Sequence, residues 1–194
     1  MRDIEGEGGI RKKRFSQKMP AVFLDRDGTI NVDCPYCSNP EDVLLYEDAL
    51  KAIADLSRDH LIIVVTNQSG IGRGYFTSKD LSEVDRRIVE EVERAGGKID
   101  AIYYCPHRPD EGCRCRKPGT GLIEEALSDF EVDLRKSWVV GDDEKDAEMA
   151  RRAGIRAILL RREGSGESAF KASDMREALK LIRESILNSR AKTL

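Results

Sequence analysis

The feature that most constrains this chain is a set of five apolar, β-branched runs separated by segments with helical periodicity. The runs are AVFLD, LIIVVTN, AIYYC, SWVVGD and RAILL, at residues 21–25, 61–67, 101–105, 137–142 and 156–160. They are continuously apolar rather than alternating in polarity, as expected for strands buried on both faces. The segments between and after them predict helices at 47–58, 78–97, 121–130, 144–154 and about 174–189. Strand–helix alternation of this kind predicts an α/β fold with a doubly wound, mainly parallel sheet.

Length and charge set the organisation and exclude several classes of partner. A chain of 194 residues is large enough to bury its own core, and we predict one domain over 20–194. Residues 1–19 are rich in glycine and charge without an apolar period, which predicts a flexible N-terminal tail. The formal net charge of -3 gives no general attraction to nucleic acid or to anionic membranes.

Hydropathy predicts where the protein acts. No apolar run approaches the roughly 20 residues of a membrane span. The first residues are polar where a signal peptide requires an apolar segment. We therefore expect a cytoplasmic protein without a membrane partner. We also expect a monomer or a weak oligomer, without a nucleic acid partner.

Polar side chains follow three of the predicted strands. Asp25 ends the first run, Thr66 and Asn67 end the second, and Asp142 ends the fourth, with Asp143 beside it. In open α/β sheets, ligands bind beyond the carboxyl ends of the strands, near the switch in strand order. One such aspartate is explained by capping of the next turn or helix. Three polar strand ends predict a site.

The pair Asp25 and Asp27 in DRDGT indicates the chemistry of that site. A calcium loop is one alternative, but Gly28 is fourth from Asp25 rather than sixth, and a strand rather than a helix precedes the loop. Phosphoryl transfer fits better. One carboxylate attacks phosphorus beside a divalent cation, a second acid protonates the leaving oxygen, and a lysine neutralises the phosphoryl oxygens.

The segments DRDGT, TNQSG, RKP and GDDEKD resemble, in order, the four motifs of the haloacid dehalogenase-like phosphatase superfamily. The resemblance runs from residue 21 to about residue 160 and implies a Rossmann-like sheet. No insertion is long enough for the large cap domain that many members carry. By the resemblance, Asp25 is the nucleophile, Asp27 is the acid/base, and Thr66 and Lys117 bind the phosphoryl group.

The same resemblance implies a magnesium site. Its ligands would be Asp25, the backbone carbonyl of Asp27, and Asp142. Asp143 and Asp146 would support the metal or its ligands. The predicted cofactor is therefore catalytic Mg²⁺.

Four metal-binding side chains cluster in CPHRPDEGCRC. Cys105, His107, Cys113 and Cys115 lie within eleven residues, the ligand set of a closed tetrahedral zinc site. Reduced cysteines beside a surface histidine are the alternative, but they do not explain the clustering. We predict structural Zn²⁺ that stabilises this loop and directs Arg116 and Lys117 toward the phosphate.

The zinc loop resembles two groups within the superfamily, the heptose 1,7-bisphosphate 7-phosphatases and the histidinol-phosphate phosphatases. FLDRDGTINVD, VVTNQSGIGRG and IYYCPH are closer to the first group, whereas the five-residue spacing between His107 and Cys113 is nearer the second. The heptose resemblance implies substrate-binding residues at Arg26, Asn31, Val32, Asp33, Asn67, Gln68, Ser69 and Arg116, with Arg73 nearby. Asp143 departs from the resemblance, because many relatives carry a lysine or arginine there.

These patterns predict a phosphatase for a small phosphorylated metabolite. Heptose 1,7-bisphosphate is the first substrate candidate and histidinol phosphate the second. A zinc-stabilised binding protein without activity is the alternative from another class, and the intact catalytic residues argue against it.

Cys34 and Cys37 have the CPYC spacing of dithiol oxidoreductases. They lie in the loop after the nucleophile, however, so a disulfide or two ordinary loop cysteines are the favoured interpretations.

Overall fold

The strands and helices follow the predicted alternation. In the computed structural model, which describes residues 18–161 and 171–191, the strands are β1 (Ala21–Leu24), β2 (Leu61–Asn67), β3 (Ala101–Cys105), β4 (Trp138–Gly141), β5 (Arg156–Leu160) and β6 (Lys171–Ala172). The helices are α1 (Glu47–Leu56), α2 (Ser78–Arg94), α3 (Gly121–Asp129), α4 (Glu144–Ala153) and α5 (Met175–Ala191). The five predicted strands and five predicted helices are all confirmed, while β6 was not predicted.

The strands form one sheet in the order β3-β2-β1-β4-β5-β6. All strand pairings among the described residues are parallel. The chain moves from β1 to one edge of the sheet through β2 and β3, and then to the other edge through β4 and β5. The switch in strand order is therefore at β1, and the carboxyl ends of β1, β2 and β4 lie side by side.

Both faces of the sheet are covered by helices. Val22 and Leu24 pack in a core with α1, α2 and α5, whereas Phe23 packs in a second core with α3 and α4. Side chains of successive strand residues point to opposite faces, so strands buried on both sides are apolar at every position. The doubly wound α/β prediction is confirmed. In the described residues, no connection between elements holds a separate cap domain.

The element boundaries differ from the predictions by a few residues. β1 and β4 each end one residue early, before Asp25 and Asp142, which lie beyond the strands. Gly154 ends α4 with a φ of 69°, as predicted for a glycine cap. At the start of α5, the carboxylate of Asp174 accepts the N–H of Glu177 at 3.0 Å, and the Glu177 carboxylate accepts the N–H of Ser173 at 2.7 Å.

The predicted tail lies mostly outside the described residues, which begin at residue 18. Met19 forms an isolated parallel bridge with Val132. Its N–H donates to the carbonyl of Glu131 at 3.0 Å, and its carbonyl accepts the N–H of Asp133 at 2.8 Å. Met19 therefore belongs to the ordered fold.

Across the part of the chain that the structure describes, none of the helices combines the length and apolar composition that a membrane crossing requires.

Candidate active site

The three polar strand ends meet at one pocket, as the sequence predicted. The pocket has a volume of about 360 Å³ and lies over the carboxyl ends of β1, β2 and β4. The predicted residues that line it are Asp25, Asp27, Asp33, Thr66, Asn67, Gln68, Ser69, Arg116, Lys117, Asp142 and Asp143. Cys34, Pro35, Tyr36, Gly70 and Lys145 complete the lining. Segments far apart in the chain thus supply one polar cavity.

Asp25 is held by a buried lysine. The Nζ atom of Lys117 lies 2.6 Å from Oδ1 of Asp25 and 2.7 Å from Oδ1 of Asp146. Burial raises the pKa of Asp25 to about 7, against the opposing effect of the Lys117 ammonium. Burial alone would lower the pKa of Lys117, but Asp25 and Asp146 raise it above its usual value. The lysine therefore stays charged and can attract an incoming anion to Asp25.

The backbone of Lys117 is fixed by the end of β2. The side-chain carbonyl of Asn67 accepts the N–H of Lys117 at 3.0 Å, and its amide donates to the Lys117 carbonyl at 3.4 Å. Next to it, Gln68 donates to Oγ1 of Thr66 at 2.9 Å. The predicted phosphate-binding groups Thr66 and Lys117 are thus positioned by residues from the same TNQSG segment.

Asp27 receives hydrogen bonds on both carboxylate oxygens. Nε and Nη2 of Arg26 donate to them at 2.9–3.2 Å. The amide of Asn31 donates to Oδ1 at 2.9 Å, and that of Gln68 donates to Oδ2 at 2.8 Å. Four side-chain donor groups from two segments therefore fix the direction in which this carboxyl group faces the pocket.

Three of the predicted substrate-contact residues, and Arg73 that was expected nearby, do not line the pocket. The predicted substrate contact of Arg26 is wrong. Its side chain is 1% exposed and its guanidinium is bound by Asp27 and Asp85, so it is not free to bind a substrate. Asn31 is buried, and its amide donates hydrogen bonds to the Asp27 carboxylate and to the carbonyl of Val32. Val32 and Arg73 are exposed outside the lining. The remaining predicted contact residues are in the lining.

Three carboxylates form a group that fits a divalent cation. One oxygen from each of Asp25, Asp142 and Asp146 lies within 4.8 Å of the others. Burial and the neighbouring Asp25 carboxylate raise the pKa of Asp142 to about 6, and burial raises the pKa of Asp146 against the effect of Lys117. Crowded, partly buried carboxylates of this kind are stabilised by a hard cation such as Mg²⁺. Asp146 was predicted only to support the metal site, and its closest partner is Lys117.

Gly28 allows Asp142 to approach the loop that follows β1. Its φ is 80°, and a Cβ added there would collide with the Asp142 carboxylate. Glycine is therefore needed both for the backbone conformation and for the space beside Asp142.

Two basic residues near Asp142 were not predicted. Nη1 of Arg161 donates to the Asp142 carbonyl at 2.6 Å, and no motif identified this residue because it lies beyond the last predicted strand. Nζ of Lys145 lies 2.8 Å from Asp143, in the pocket lining. Asp143 also caps α4 by accepting the N–H of Lys145 at 2.9 Å. Lys145 therefore brings a positive charge into the lining, where it is paired with the negative charge of Asp143.

The predicted zinc ligands come together after β3. The sulfur of Cys115 lies 3.3 Å from that of Cys105, 3.5 Å from that of Cys113 and 3.2 Å from Nδ1 of His107. The sulfurs of Cys105 and Cys113 are 3.5 Å apart. Tetrahedral zinc with bonds of about 2.3 Å to sulfur separates its sulfur ligands by about 3.8 Å. The cluster therefore fits a closed zinc site with no coordination position left for water.

Cys34 and Cys37 form a turn at the pocket rim. The N–H of Cys37 donates to the Cys34 carbonyl at 3.0 Å, and Tyr36 between them has a φ of 56°. Both thiols are free. The structure thus shows two loop cysteines, the second of the interpretations favoured from the sequence.

Comparison with known proteins gives consistent matches. Residues 114–185 match the family described as HAD-hydrolase-like. The chain is 50% identical over 144 residues to a probable D-glycero-D-manno-heptose-1,7-bisphosphate 7-phosphatase of Thermoplasma acidophilum, covering 73% of this chain and 90% of that protein. It is 38% identical over 157 residues to the D-glycero-beta-D-manno-heptose-1,7-bisphosphate 7-phosphatase of Haemophilus ducreyi, covering 77% and 86%.

A solved structure aligns over nearly its whole length. The D,D-heptose 1,7-bisphosphate phosphatase of B. bronchiseptica, complexed with magnesium and phosphate, superposes with a TM-score of 0.78 at 31% identity, covering 86% of this chain and 99% of that one. The sequence identity, the extent of the aligned relatives and the shared fold agree with the four motifs. This chain belongs to the haloacid dehalogenase-like phosphatases, a family of hydrolytic enzymes.

Proposed function

We propose that this protein is a Mg²⁺-dependent phosphomonoester hydrolase that removes the 7-phosphate of D-glycero-D-manno-heptose 1,7-bisphosphate. The observation that carries the proposal is the contact of Asp25 with the buried ammonium of Lys117, in a pocket that Asp27 also lines. A carboxylate nucleophile, a cation for the phosphoryl oxygens and a second carboxyl group are the parts that this hydrolysis needs. The substrate is supported by the names of the relatives.

The first step forms an aspartyl-phosphate. A carboxylate oxygen of Asp25 attacks phosphorus, the bond from phosphorus to the sugar oxygen breaks, and Asp27 gives that oxygen its proton. Lys117 and the hydroxyl of Thr66 neutralise the phosphoryl oxygens as negative charge moves onto them. Mg²⁺ bound by Asp25, the carbonyl of Asp27 and Asp142 would reduce the repulsion between the substrate and the carboxylates.

The second step releases phosphate. Asp27, now a carboxylate, takes a proton from water, and the water oxygen attacks phosphorus to free Asp25. Arg26, Asn31 and Gln68 donate hydrogen bonds to the Asp27 carboxyl group and so fix the orientation of that group in the pocket lining. The same residue thus acts as acid and then as base.

A second phosphate on the substrate has candidate partners in the lining. Lys117 is occupied by Asp25 and Asp146, whereas Arg116 and Lys145 are the other two cations of the pocket. Lys145 is about half exposed, and among the acidic groups of the described residues its ion-pair partner is Asp143. These two side chains support a bisphosphate rather than a monophosphate substrate.

The cysteine cluster is proposed as a structural Zn²⁺ site. Its four ligands leave no open position for a reacting water. It joins the end of β3 to the segment that carries Arg116 and Lys117, so its expected effect is to order that loop. The cytoplasmic location and the assembly state, a monomer or a weak oligomer, stay predictions from the sequence.

Phosphate release by purified protein tests the function. We expect Mg²⁺-dependent release from heptose 1,7-bisphosphate to exceed that from histidinol phosphate and common sugar phosphates. Asp25→Asn should lower turnover at least about 1000-fold, because an amide is a poor nucleophile. Asp42→Asn, at an exposed position in the short 3-10 helix Pro40–Asp42, is the matched control and should keep full activity.

Three other outcomes would each change a different part of the proposal. A preference for histidinol phosphate would overturn the substrate and leave the chemistry intact. Near-normal turnover by Asp25→Asn would rule out the covalent intermediate. A folded wild-type protein that hydrolyses no phosphate ester would support the inactive binding protein.

A further inference from the structure

Helix α2 carries an acidic residue that reaches the active-site loop from outside the four motifs. The carboxylate of Asp85 accepts a hydrogen bond from Nη1 of Arg26 at 3.0 Å, and the Asp85 side chain is 14% exposed. The opposite edge of the same guanidinium, Nε and Nη2, donates to Asp27 at 2.9–3.2 Å. Arg26 therefore connects α2 to the carboxyl group that lines the pocket.

Charge neutralisation does not explain why Asp85 is there. When Asp27 is a carboxylate it already balances the charge of Arg26, so in that state Asp85 adds one negative charge to a largely buried group. Burial raises the pKa of Asp85 even though Arg26 opposes this effect, which shows that the environment disfavours the charged form. A buried carboxylate that is not needed for charge balance has a cost in stability, and another role has to account for it.

The geometry of the guanidinium supplies that role. An arginine side chain is planar, with its five N–H groups in a fixed fork. When Asp85 binds Nη1, the plane cannot rotate without breaking this contact, so the Nε and Nη2 edge stays directed at Asp27. The amides of Asn31 and Gln68 then contact the two oxygens of Asp27 from other directions.

We propose that Asp85 is a positioning residue, which acts through Arg26 to hold the carboxyl group of Asp27 in the orientation that proton transfer requires. This inference rests on the acid/base role of Asp27 in the proposed function. Asp85 itself does not line the pocket. Its effect should therefore be on the proton-transfer geometry and not on substrate binding.

The proton balance of the first step makes the inference testable. When the bond between phosphorus and an alkyl oxygen breaks, the alkoxide is a poor leaving group and needs the proton from Asp27. A p-nitrophenolate ion leaves without protonation. Misorientation of Asp27 should therefore slow phosphorylation of Asp25 by an alkyl phosphate much more than by p-nitrophenyl phosphate.

The experiment compares kcat/KM of wild type and Asp85→Ala, which removes the acceptor of the Arg26 Nη1 hydrogen bond, on heptose 1,7-bisphosphate and on p-nitrophenyl phosphate. We expect a loss of about 10- to 100-fold on the alkyl ester, on the scale of a displacement of about 1 Å of a catalytic group. The loss on the aryl ester should be at most about threefold, since that step does not use the proton. KM should change little, and Asp85→Glu, which keeps the carboxylate, should recover part of the loss.

A matched control on the same helix separates the effect of losing the Asp85–Arg26 contact from a general loss of helix stability. Glu83 pairs with Arg86 on the exposed side of α2, so Glu83→Gln should leave both substrates unaffected. The ratio of the two kcat/KM values does not depend on the fraction of protein that is folded. It can therefore be measured even if Asp85→Ala is less stable.

The possible results are distinguishable. A selective loss on the alkyl ester supports the inference. An equal loss on both esters would mean that Asp85 has only a structural role. No loss on either ester would mean that Asp85 has no role in catalysis. Each of these two results overturns the inference and leaves the proposed function intact. Wild-type protein that hydrolyses neither ester overturns the proposed function, and the inference with it.

Discussion

Replacing Asp142 by asparagine should stabilise the metal-free protein, although it removes a proposed metal ligand. The pKa of Asp142 is raised from 3.8 to about 6, first by burial and then by the Asp25 carboxylate. A rise of this size corresponds to about 3 kcal/mol of destabilisation of the charged form. Because Asp142 is partly exposed, solvent screening reduces this to about 1–2 kcal/mol. Asparagine has the same shape and removes the charge.

The effect should depend on pH in one direction. A carboxyl group whose pKa is raised in the folded state contributes full stability below its unfolded pKa of 3.8, where it is protonated in both states. That contribution is lost as the pH rises through about 6. The gain from Asp142→Asn should therefore approach zero near pH 4 and reach its full value above about pH 7.

Denaturant unfolding measures this prediction. Wild type and Asp142→Asn are unfolded in a chelating buffer at several pH values, and then at neutral pH with saturating Mg²⁺. Metal at about 100 times its dissociation constant stabilises the native state by about 2.7 kcal/mol, so the order of stability should reverse in favour of wild type. A variant that is less stable than wild type without metal at pH 8, or a difference that does not vary with pH, would refute the reasoning.

Two further variants test the metal sites. Cys113→Ser should remove about one zinc per chain, measured by mass spectrometry. It should also lower thermal stability and turnover together, and added Mg²⁺ should not restore them. The control Cys34→Ser, outside the cluster, should retain its zinc. A zinc-free Cys113→Ser protein with unchanged stability and activity would show that the cluster is incidental. Gly28→Ala should abolish turnover and Mg²⁺ binding in calorimetry, because the new Cβ meets Asp142. Gly74→Ala is its control, since Gly74 has a similar φ of 73° with open space around it, and equal effects of the two substitutions would mean that backbone strain alone is responsible.

The sequence predicted the strands, and the grouping of the polar residues that follow them, for a physical reason. Strands buried on both faces need apolar residues at every position, so they stand out as continuous runs. Parallel strands place their carboxyl ends on one edge, so polar residues that follow those runs must approach each other. Asp25, Thr66 and Asp142 were predicted to meet on this basis, and they do.

What the sequence did not predict depends on side-chain direction and long-range packing. Arg26 was expected at the substrate, but its side chain turns away from the pocket toward α2, a choice that no local periodicity encodes. Asp85 is 59 positions from Arg26 in the chain and belongs to no motif. Arg161 reaches the Asp142 carbonyl only because β5 lies beside β4. Strand order was needed before either contact could be proposed.

The central place of β1 in the sheet has a consequence for synthesis of the protein. Strand β1 is the first of the described strands to be synthesised, and its partner β2 follows within about forty residues. Its other partner comes much later: the N–H of Ala21 donates to the hydroxyl of Ser137, 116 positions along the chain. Until β4 emerges, one edge of this apolar strand has no neighbour and can pair with other chains. Aggregation during expression should therefore depend on how long translation takes to reach β4, and slow codons between α2 and β4 are where solubility is most at risk.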